Sequence, residues 1–217
     1  MIMSAIVNYS FIIAQNNDNC YNVQDKYKHM HVSDIIEQQK KLSQNWFVGL
    51  MNIEGDLNIS NMIRTSCLLG ARKVVLFGRR KFDRRGCVGS QNYIPIEKVD
   101  CLNDDGLSLN TDIIIQYLMN NNILPILVEH DGINIFSKVF SEQLANIKNS
   151  NFTPMIIMGN ESNGMPHEFI NFCKNHIANT MHVSIPQIGV MRSYNVSTAF
   201  GIVASKFMEN MGYMPVD

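Results

Sequence analysis

From Trp46 onward, short apolar runs alternate with segments of helical periodicity, and this alternation constrains the fold more than any other feature of the sequence. The runs that predict strands are Trp46–Met51, Lys73–Phe77, Ile123–Val128, Pro154–Met158 and Ala178–Ile185. The segments that predict helices are Ile59–Leu69, Asp112–Asn120, Pro166–Asn175 and Val196–Asn210. Strands that alternate with helices form a mainly parallel sheet with helices on both faces. The sequence therefore predicts an α/β fold.

The first 44 residues differ in character from the rest of the 217-residue chain. Met1–Ala14 is apolar, Gln15–His31 is polar, and Ser33 is predicted to cap a short helix over Asp34–Leu42. A chain of this length suits a moderate domain with a small extension. We therefore predict an N-terminal extension at residues 1–44 and a main domain at residues 45–217.

Composition excludes several classes of protein. Hydrophobic residues make up 46% of the chain, which is enough for a buried core. The five cysteines are scattered and form no CxxC pair, and the histidines have no metal-ligand spacing, so we expect reduced thiols and no metal. No apolar run approaches the roughly 20 residues that span a bilayer, and the N-terminus lacks the basic start of a secretory signal. We therefore expect a soluble cytoplasmic protein with no membrane partner.

The first motif runs from Asn58 to Arg64, after the first predicted strand and at the start of a helix. These two polar residues are six positions apart, so they need not share a helix face. Both are expected near the loop side of the sheet. The alternative interpretation is structural, with Asn58 as a helix cap and Arg64 as a solvated helix residue.

The second motif, GNESNGMP at residues 159–166, follows the predicted strand that ends at Met158. Two glycines that flank a carboxylate at the end of a strand form a tight loop in which a ligand can approach the backbone. The motif has neither the spacing of a dinucleotide fingerprint nor the lysine of a P-loop. The alternative is an ordinary strand-to-helix turn with Glu161 exposed to water.

The third motif, IPQIGVMRSYNVS at residues 185–197, runs from a strand through a loop into the C-terminal helix. Small residues in that helix, Ala199, Gly201 and Ala204, permit close packing of its backbone. The alternative is a capped helix in which Ser193 or Asn195 is the cap.

Taken in order, the three motifs resemble the TrmH-like family of the SPOUT superfamily, the trefoil-knotted RNA methyltransferases. The resemblance covers roughly residues 46–208. It implies an α/β knot, in which the C-terminal segment threads through a loop of the chain, and a homodimer with the knots near the subunit interface. It also implies S-adenosylmethionine as cofactor and RNA as substrate.

The resemblance also assigns roles to individual residues. The positions that would bind S-adenosylmethionine, largely through backbone groups, are Gly159, Ile185, Gln187, Ile188, Tyr194 and Asn195. The positions that would contribute to catalysis are Arg64, Asn58, Glu161, Ser193 and Asn195. The family usually has Leu or Met where this chain has Tyr194, and Asn160 and Asn163 also depart from the family pattern.

Methyl transfer from a sulfonium needs alignment of the nucleophile with the methyl carbon and removal of one proton. The resemblance gives this task to Arg64. A guanidinium with an ordinary pKa above about 12 is a poor base. It is better suited to stabilising the developing alkoxide, although a role as base stays open at this stage.

A basic segment lies between the first and second motifs. It contains seven of the 18 Lys and Arg residues, namely Arg72, Lys73, Arg79, Arg80, Lys81, Arg84 and Arg85. With Phe82 and Tyr93 nearby, this segment is predicted to follow a phosphate backbone and stack a base, and Arg79, Arg80, Lys81, Arg84 and Arg85 are the predicted RNA contacts. The alternative is a solvated run of charge. The net charge of −1 excludes a uniformly basic protein but not a local patch.

These observations predict an S-adenosylmethionine-dependent methyltransferase acting on a ribose 2'-hydroxyl of RNA, with tRNA slightly favoured over ribosomal RNA. The first alternative is a catalytically silent, knotted RNA-binding dimer, which Tyr194 favours. The second is a related knotted enzyme that methylates a base nitrogen. The pair His130-Asp131 is predicted to lie in a loop, with no role assigned.

Overall fold

The computed structural model describes residues 22–78 and 81–214 and shows an α/β fold. The strands are β1 (Phe47–Met51), β2 (Lys73–Phe77), β3 (Ile96–Val99), β4 (Ile123–Asn134), β5 (Thr153–Met158) and β6 (Met181–Ser184). The α-helices are α1 (Val32–Leu42), α2 (Asp56–Leu68), α3 (Thr111–Asn120), α4 (Lys138–Lys148), α5 (His167–His176) and α6 (Val196–Met211). Short 3-10 helices cover Asp25–Tyr27, Arg84–Cys87 and Ser90–Asn92.

The six strands form a parallel sheet in the order β3-β2-β1-β5-β4-β6. Strand β1 pairs with β5 from Phe47 opposite Met155 to Leu50 opposite Met158. This central register aligns the ends of the two strands, and the loops that follow them meet at the same edge of the sheet. The predicted parallel α/β architecture is confirmed.

The core has two layers, one on each face of the sheet. Helices α2, α4 and α6 cover one face, where Trp46 and Phe207 are fully buried with ring centroids 5.4 Å apart. Helices α3 and α5 cover the other face, around Phe77 and Phe169. Since both faces are buried, the central strands read as continuous apolar runs, which is why the sequence revealed them.

Among the strands and α-helices of the described residues, β3 and α4 have no counterpart in the sequence prediction. Strand β3 is a short edge strand in which Glu97 is buried and accepts hydrogen bonds from Lys73 Nζ at 2.6 Å and Tyr117 Oη at 2.7 Å. A buried charge inside a four-residue strand removes the apolar run that predicts strands. Helix α4 does show the helical spacing, with Phe140 and Leu144 buried four residues apart, and this signal was missed.

The boundaries of several predicted elements differ from those observed. Helix α1 begins at Val32 with His31 in the cap position, so the prediction that Ser33 caps it is wrong. Strand β4 continues past Val128 to Asn134 through a register shift against β6, and it includes the pair His130-Asp131 that was predicted as a loop. None of the described helices is long and apolar enough to cross a membrane.

The N-terminal extension lies partly outside the described residues, since residues 1–21 are not described. Its helix α1 contacts the main domain through the Gln39 side chain, whose Nε2 donates to the carbonyl oxygen of Cys67 at 3.0 Å.

Candidate active site

A cleft of about 660 Å³ opens where β5 and β6 end, beside the point at which the apolar run of β4 ends at Val128. Ligand sites in open α/β sheets lie at the carboxyl ends of the strands, and small-molecule sites typically measure about 300–1,000 Å³. The residues that line it are Val128, Glu129, His130, Met158, Gly159, Asn160, Glu161, Ser162, Asn163, Gly164, Ile185, Gln187, Arg192, Ser193, Tyr194, Asn195, Val196 and Ala199. The second and third motifs therefore share one cleft.

The second motif forms a closed loop. Asn160 N donates to the Gly164 carbonyl at 3.1 Å, and Gly164 N donates back to the Asn160 carbonyl at 2.9 Å. The Asn160 side chain stabilises this loop because its Oδ1 accepts from Ser162 N and Asn163 N, while its Nδ2 donates to the Asn52 carbonyl at 2.8 Å. The departure from the family pattern at Asn160 thus has a structural role.

Gly159 at the head of this loop has no room for a side chain. A Cβ there would lie 2.6 Å from the Gly164 carbonyl carbon and 2.7 Å from Met165 N. Both atoms belong to the backbone, which cannot move aside as the end of a flexible side chain does. Glycine is therefore required for the loop to close, and its backbone remains open to the cleft.

The carboxylate of Glu161 joins the second motif to the start of α2. Its Oε1 accepts from Gly55 N at 2.9 Å and Asn58 Nδ2 at 2.8 Å, and its Oε2 accepts from Glu54 N at 2.9 Å. Partial burial raises the pKa of Glu161, but the hydrogen bonds from Asn58, Glu54 and Gly55 outweigh it and hold the pKa below its ordinary value. Glu161 is exposed, as the structural alternative expects, but its carboxylate is held by three hydrogen bonds and is not free in water.

Asn58 extends this link to the third motif. It is the third residue of α2, whose cap position is Gly55, so the interpretation of Asn58 as a helix cap is wrong. Its Oδ1 accepts from Asn195 Nδ2 at 3.0 Å. Glu161, Asn58 and Asn195 thus form a hydrogen-bonded chain that joins all three motifs.

Asn195 also caps α6. Its Oδ1 accepts from Ser197 N at 3.0 Å and Thr198 N at 3.2 Å, which confirms the sequence interpretation of Asn195 as the cap. The same side chain therefore starts the helix and contacts the first motif. Ser193 lines the cleft and is exposed.

Tyr194 lines the cleft without closing it. Its ring is 41% exposed, and its hydroxyl lies 3.5 Å from the Pro186 carbonyl, the outer limit of a hydrogen bond. Ile185 and Gln187 also line the cleft, whereas Ile188 is fully exposed and lies outside the lining.

Arg64 lies apart from the cleft. It is separated from Asn58 by six residues, about 240° around the helix, and it is not among the lining residues. Its side chain is exposed and makes no hydrogen bond or ion pair with the described part of the chain. The structure brings Asn58 to the site but leaves Arg64 on the solvent face of α2.

The basic segment packs beside α2. Ser60 Oγ donates to the Asp83 carbonyl, and the following 3-10 helix holds Arg84 and Arg85 on the surface. Arg85 is paired with the Asp83 carboxylate at 2.5 Å, which lowers the pKa of that carboxyl. Lys81 is also exposed, whereas Arg79 and Arg80 lie outside the described residues.

The two aromatic rings predicted to stack on RNA bases are less exposed than that prediction requires. Tyr93 is only 8% exposed, and Phe82 packs partly against the core. Burial of Tyr93 leaves its ring too little surface to stack on a base, so that prediction is wrong for Tyr93.

Among the ionisable side chains that line the cleft, Glu129, His130 and Arg192 were not predicted as site residues from the sequence. Glu129 directly follows the apolar part of β4. The rule that ligands bind at the carboxyl ends of parallel strands would have identified it. No group of His, Cys, Asp or Glu in the described part of the chain has a geometry suited to a metal ion.

The fold is shared with solved methyltransferase structures. The tRNA modifying enzyme TrmH/SpoU of A. aeolicus matches with a TM-score of 0.58 at 20% identity, covering 84% of this chain and 86% of that one. The AdoMet-bound rRNA methyltransferase of Sinorhizobium meliloti matches with a TM-score of 0.58 at 20% identity, covering 77% of this chain and 57% of that one. The SpoU methyltransferase AviRb of Streptomyces viridochromogenes, in complex with AdoMet, has a TM-score of 0.56 at 17% identity, covering 79% and 60%.

This chain spans less than two thirds of the Sinorhizobium and Streptomyces chains that it matches. No curated protein matches it. A family model described as the SpoU rRNA Methylase family matches residues 45–205. Because that match covers most of the 217 residues, the chain belongs to the SpoU rRNA methylase family.

Proposed function

We propose that this protein is an S-adenosylmethionine-dependent methyltransferase that modifies a ribose 2'-hydroxyl of RNA, with tRNA favoured over ribosomal RNA. The observation that carries the proposal is the hydrogen-bonded chain from Glu161 through Asn58 to Asn195. It holds the three motifs of this SpoU family member around one cleft. The fold relatives crystallised with AdoMet support the same cofactor for this chain.

The cleft fits S-adenosylmethionine, which supplies an electrophilic methyl group. Val128 and Met158 form an apolar floor, and the glycine at 159 leaves backbone groups accessible. Gly159, Ile185 and Tyr194 would hold the cofactor largely through their backbones, with Gln187, Ile188 and Asn195 beside them. Because Ile188 is fully exposed, its contact requires the loop at residues 186–194 to fold over the bound cofactor.

The catalytic role of the protein is alignment and charge stabilisation. Asn58, Glu161, Ser193 and Asn195 order the cleft. Arg64 is the proposed stabiliser of the alkoxide that forms on the ribose oxygen. Because Arg64 lies outside the cleft of its own chain, this role requires the Arg64 of one copy in the proposed homodimer to reach the cleft of the other. Arg64 has no ion-pair partner in the described part of the chain, so its charge is available to an incoming nucleotide.

The RNA partner is proposed to contact the basic segment. Arg84 and Lys81 are exposed beside α2, the helix that carries Arg64, and Arg79, Arg80 and Arg85 complete the segment. An exposed positive segment that packs on α2 suits a phosphate backbone. The trefoil knot and the homodimer remain predictions from the family resemblance.

Calorimetric titration of the protein with S-adenosylmethionine and S-adenosylhomocysteine is the first test. Micromolar binding is expected. Incubation with tRNA or ribosomal RNA, followed by mass analysis of digested nucleosides, should then reveal a methyl group on ribose. A methylated base would replace the proposal by base-nitrogen methylation. Folded protein that binds neither ligand would indicate a catalytically silent RNA-binding protein in which Tyr194 alters the pocket.

A further inference from the structure

Glu129 occupies a distinctive position at the floor of the cleft. It directly follows Val128, which pairs with Met158 across β4 and β5. Those two apolar side chains and Glu129 all line the cleft. A carboxylate therefore lies at the boundary between an apolar floor and the loop of the second motif.

One oxygen of this carboxylate is already used. Glu129 Oε1 accepts from Met165 N at 2.7 Å, which secures the far end of the second motif. A Cβ on Gly164 would lie 2.9 Å from Oε1 and 3.1 Å from Oε2, so the carboxylate is pressed against glycine backbone. Burial raises the pKa of Glu129, although the bond from Met165 N and the nearby His130 and His182 oppose that change.

The second carboxylate oxygen of Glu129, Oε2, is able to accept further hydrogen bonds. Within the described residues, Oε2 accepts no hydrogen bond, and no basic side chain lies within ion-pair distance of Glu129. By contrast, both oxygens of Glu161 are occupied. A ligand that fills the cleft displaces water from Oε2, and a half-buried carboxylate is destabilised unless the ligand replaces those hydrogen bonds.

The chemistry of the lining indicates which donor fits. Val128, Met158 and Ala199 provide apolar surface for a nucleoside, and Arg192 provides a cation that suits the carboxylate of an amino acid. A carboxylate that binds ribose hydroxyls at the carboxyl edge of an open α/β sheet is a recurrent solution for nucleotide cofactors, and Glu129 lies level with the end of β5 at that edge. We infer that Glu129 accepts hydrogen bonds from the ribose hydroxyls of the cofactor and so selects ribose over deoxyribose in that ligand. This inference rests on the proposed function.

Substitution of Glu129 by glutamine separates this role from the structural one. In Glu129→Gln the carbonyl oxygen still accepts from Met165 N, but an NH2 group replaces Oε2 and cannot accept. The control is Glu168→Gln, an exposed glutamate of α5 outside the cleft. The probes are S-adenosylhomocysteine, its 2'-deoxy and 3'-deoxy analogues, and 5'-methylthioadenosine, which lacks the amino acid.

Calorimetry should show that the parent protein binds a deoxy analogue roughly 10- to 100-fold more weakly than S-adenosylhomocysteine, as for loss of a hydrogen bond to a charged group. Glu129→Gln should bind S-adenosylhomocysteine more weakly by a similar factor. It should also distinguish the deoxy analogues less than the parent does, because its NH2 group can donate to a hydroxyl oxygen but no longer provides a charged acceptor. Glu168→Gln should behave as the parent does. The weakening in Glu129→Gln should persist with 5'-methylthioadenosine.

Two results would overturn the inference while leaving the proposed function intact. The first is Glu129→Gln discriminating against deoxyribose as strongly as the parent. The second is that Glu129→Gln binds S-adenosylhomocysteine more weakly than the parent but binds 5'-methylthioadenosine equally well. That result would assign Glu129 to the cofactor's ammonium group. If the parent protein bound none of these ligands, the proposed function and the inference would both fail.

Discussion

Replacement of Glu161 by glutamine should loosen the junction between the first and second motifs. The Glu161 carboxylate accepts hydrogen bonds from Glu54 N, Gly55 N and Asn58 Nδ2, all more than 100 residues away in the chain. Glutamine keeps one carbonyl acceptor, loses the negative charge, and places an NH2 group against one or more of these donors. The substitution is nearly isosteric, so packing should be preserved.

The expected magnitude follows from these three contacts. A hydrogen bond to a charged group contributes about 1.5–3 kcal/mol when it is shielded from water. The Glu161 carboxylate is largely exposed, and exposed charged contacts typically contribute below about 1 kcal/mol each. We therefore expect Glu161→Gln to lower the free energy of unfolding by about 1–2 kcal/mol near neutral pH.

The effect should depend on pH with a defined sign. Because the hydrogen bonds lower the folded-state pKa of Glu161, its stabilisation is present above the unfolded-state pKa and is lost as the pH falls through the folded-state pKa. Glutamine does not titrate. The stability difference between the parent and Glu161→Gln should therefore be full near pH 7 and shrink as the pH falls below about 4.

Urea unfolding at a fixed protein concentration measures this difference. With a slope of about 2 kcal/mol per molar urea, the midpoint should fall by about 0.5–1 M at neutral pH. Glu168→Gln removes an exposed glutamate with no such contacts from the first turn of α5, so it should lower the midpoint by less than Glu161→Gln does, since it loses only a helix-dipole contribution of about 0.3–1 kcal/mol. Two results would refute the role assigned to the Glu161 charge. One is an unchanged urea midpoint in Glu161→Gln at neutral pH. The other is a fall in the midpoint that is as large in acid, below the folded-state pKa of Glu161, as it is at neutral pH.

The remaining predictions concern catalysis, the cleft and RNA. Arg64→Ala should abolish methyl transfer to RNA yet leave calorimetric cofactor binding nearly intact, and full activity would remove the proposed mechanism. Gly159→Ala should destabilise the protein by about 1–3 kcal/mol and weaken cofactor binding, because its Cβ meets backbone at 2.6 Å; Gly189→Ala, with nothing within 4 Å, should change the stability little. Neutralising Lys81 and Arg84 should flatten the salt dependence of RNA binding by a slope of about 0.7–0.9 per lost phosphate contact, and an unchanged slope would argue against this surface.

Features that depend on neighbours in the chain could be predicted from the sequence. Strands β1, β2 and β5 appeared as apolar runs because both of their faces are buried. Asn195 was one of the two predicted helix caps, with Ser193, because the donors to its Oδ1, Ser197 N and Thr198 N, lie only two and three residues away. The order of the three motifs also carried the family resemblance.

The edge of the sheet shows where local pattern is insufficient. Strand β3 was missed because its buried Glu97 depends on Lys73 and Tyr117, which come from other elements. A charged residue in a short segment looks solvent-exposed until its partners are known. The hydrogen-bond partners therefore decide whether such a segment is a strand.

The sequence by itself determined the succession of strands and helices apart from β3 and α4, the glycine loop of the second motif and the helix that Asn195 caps. Only the tertiary structure decided that Glu161 bonds to Asn58, that Glu129 bonds to Met165 N and opens into the cleft, and that Arg64 lies outside it. The physical reason is the range of the interactions. Helical periodicity and caps act within a few residues, whereas these contacts form only when the parallel sheet brings the ends of distant strands together.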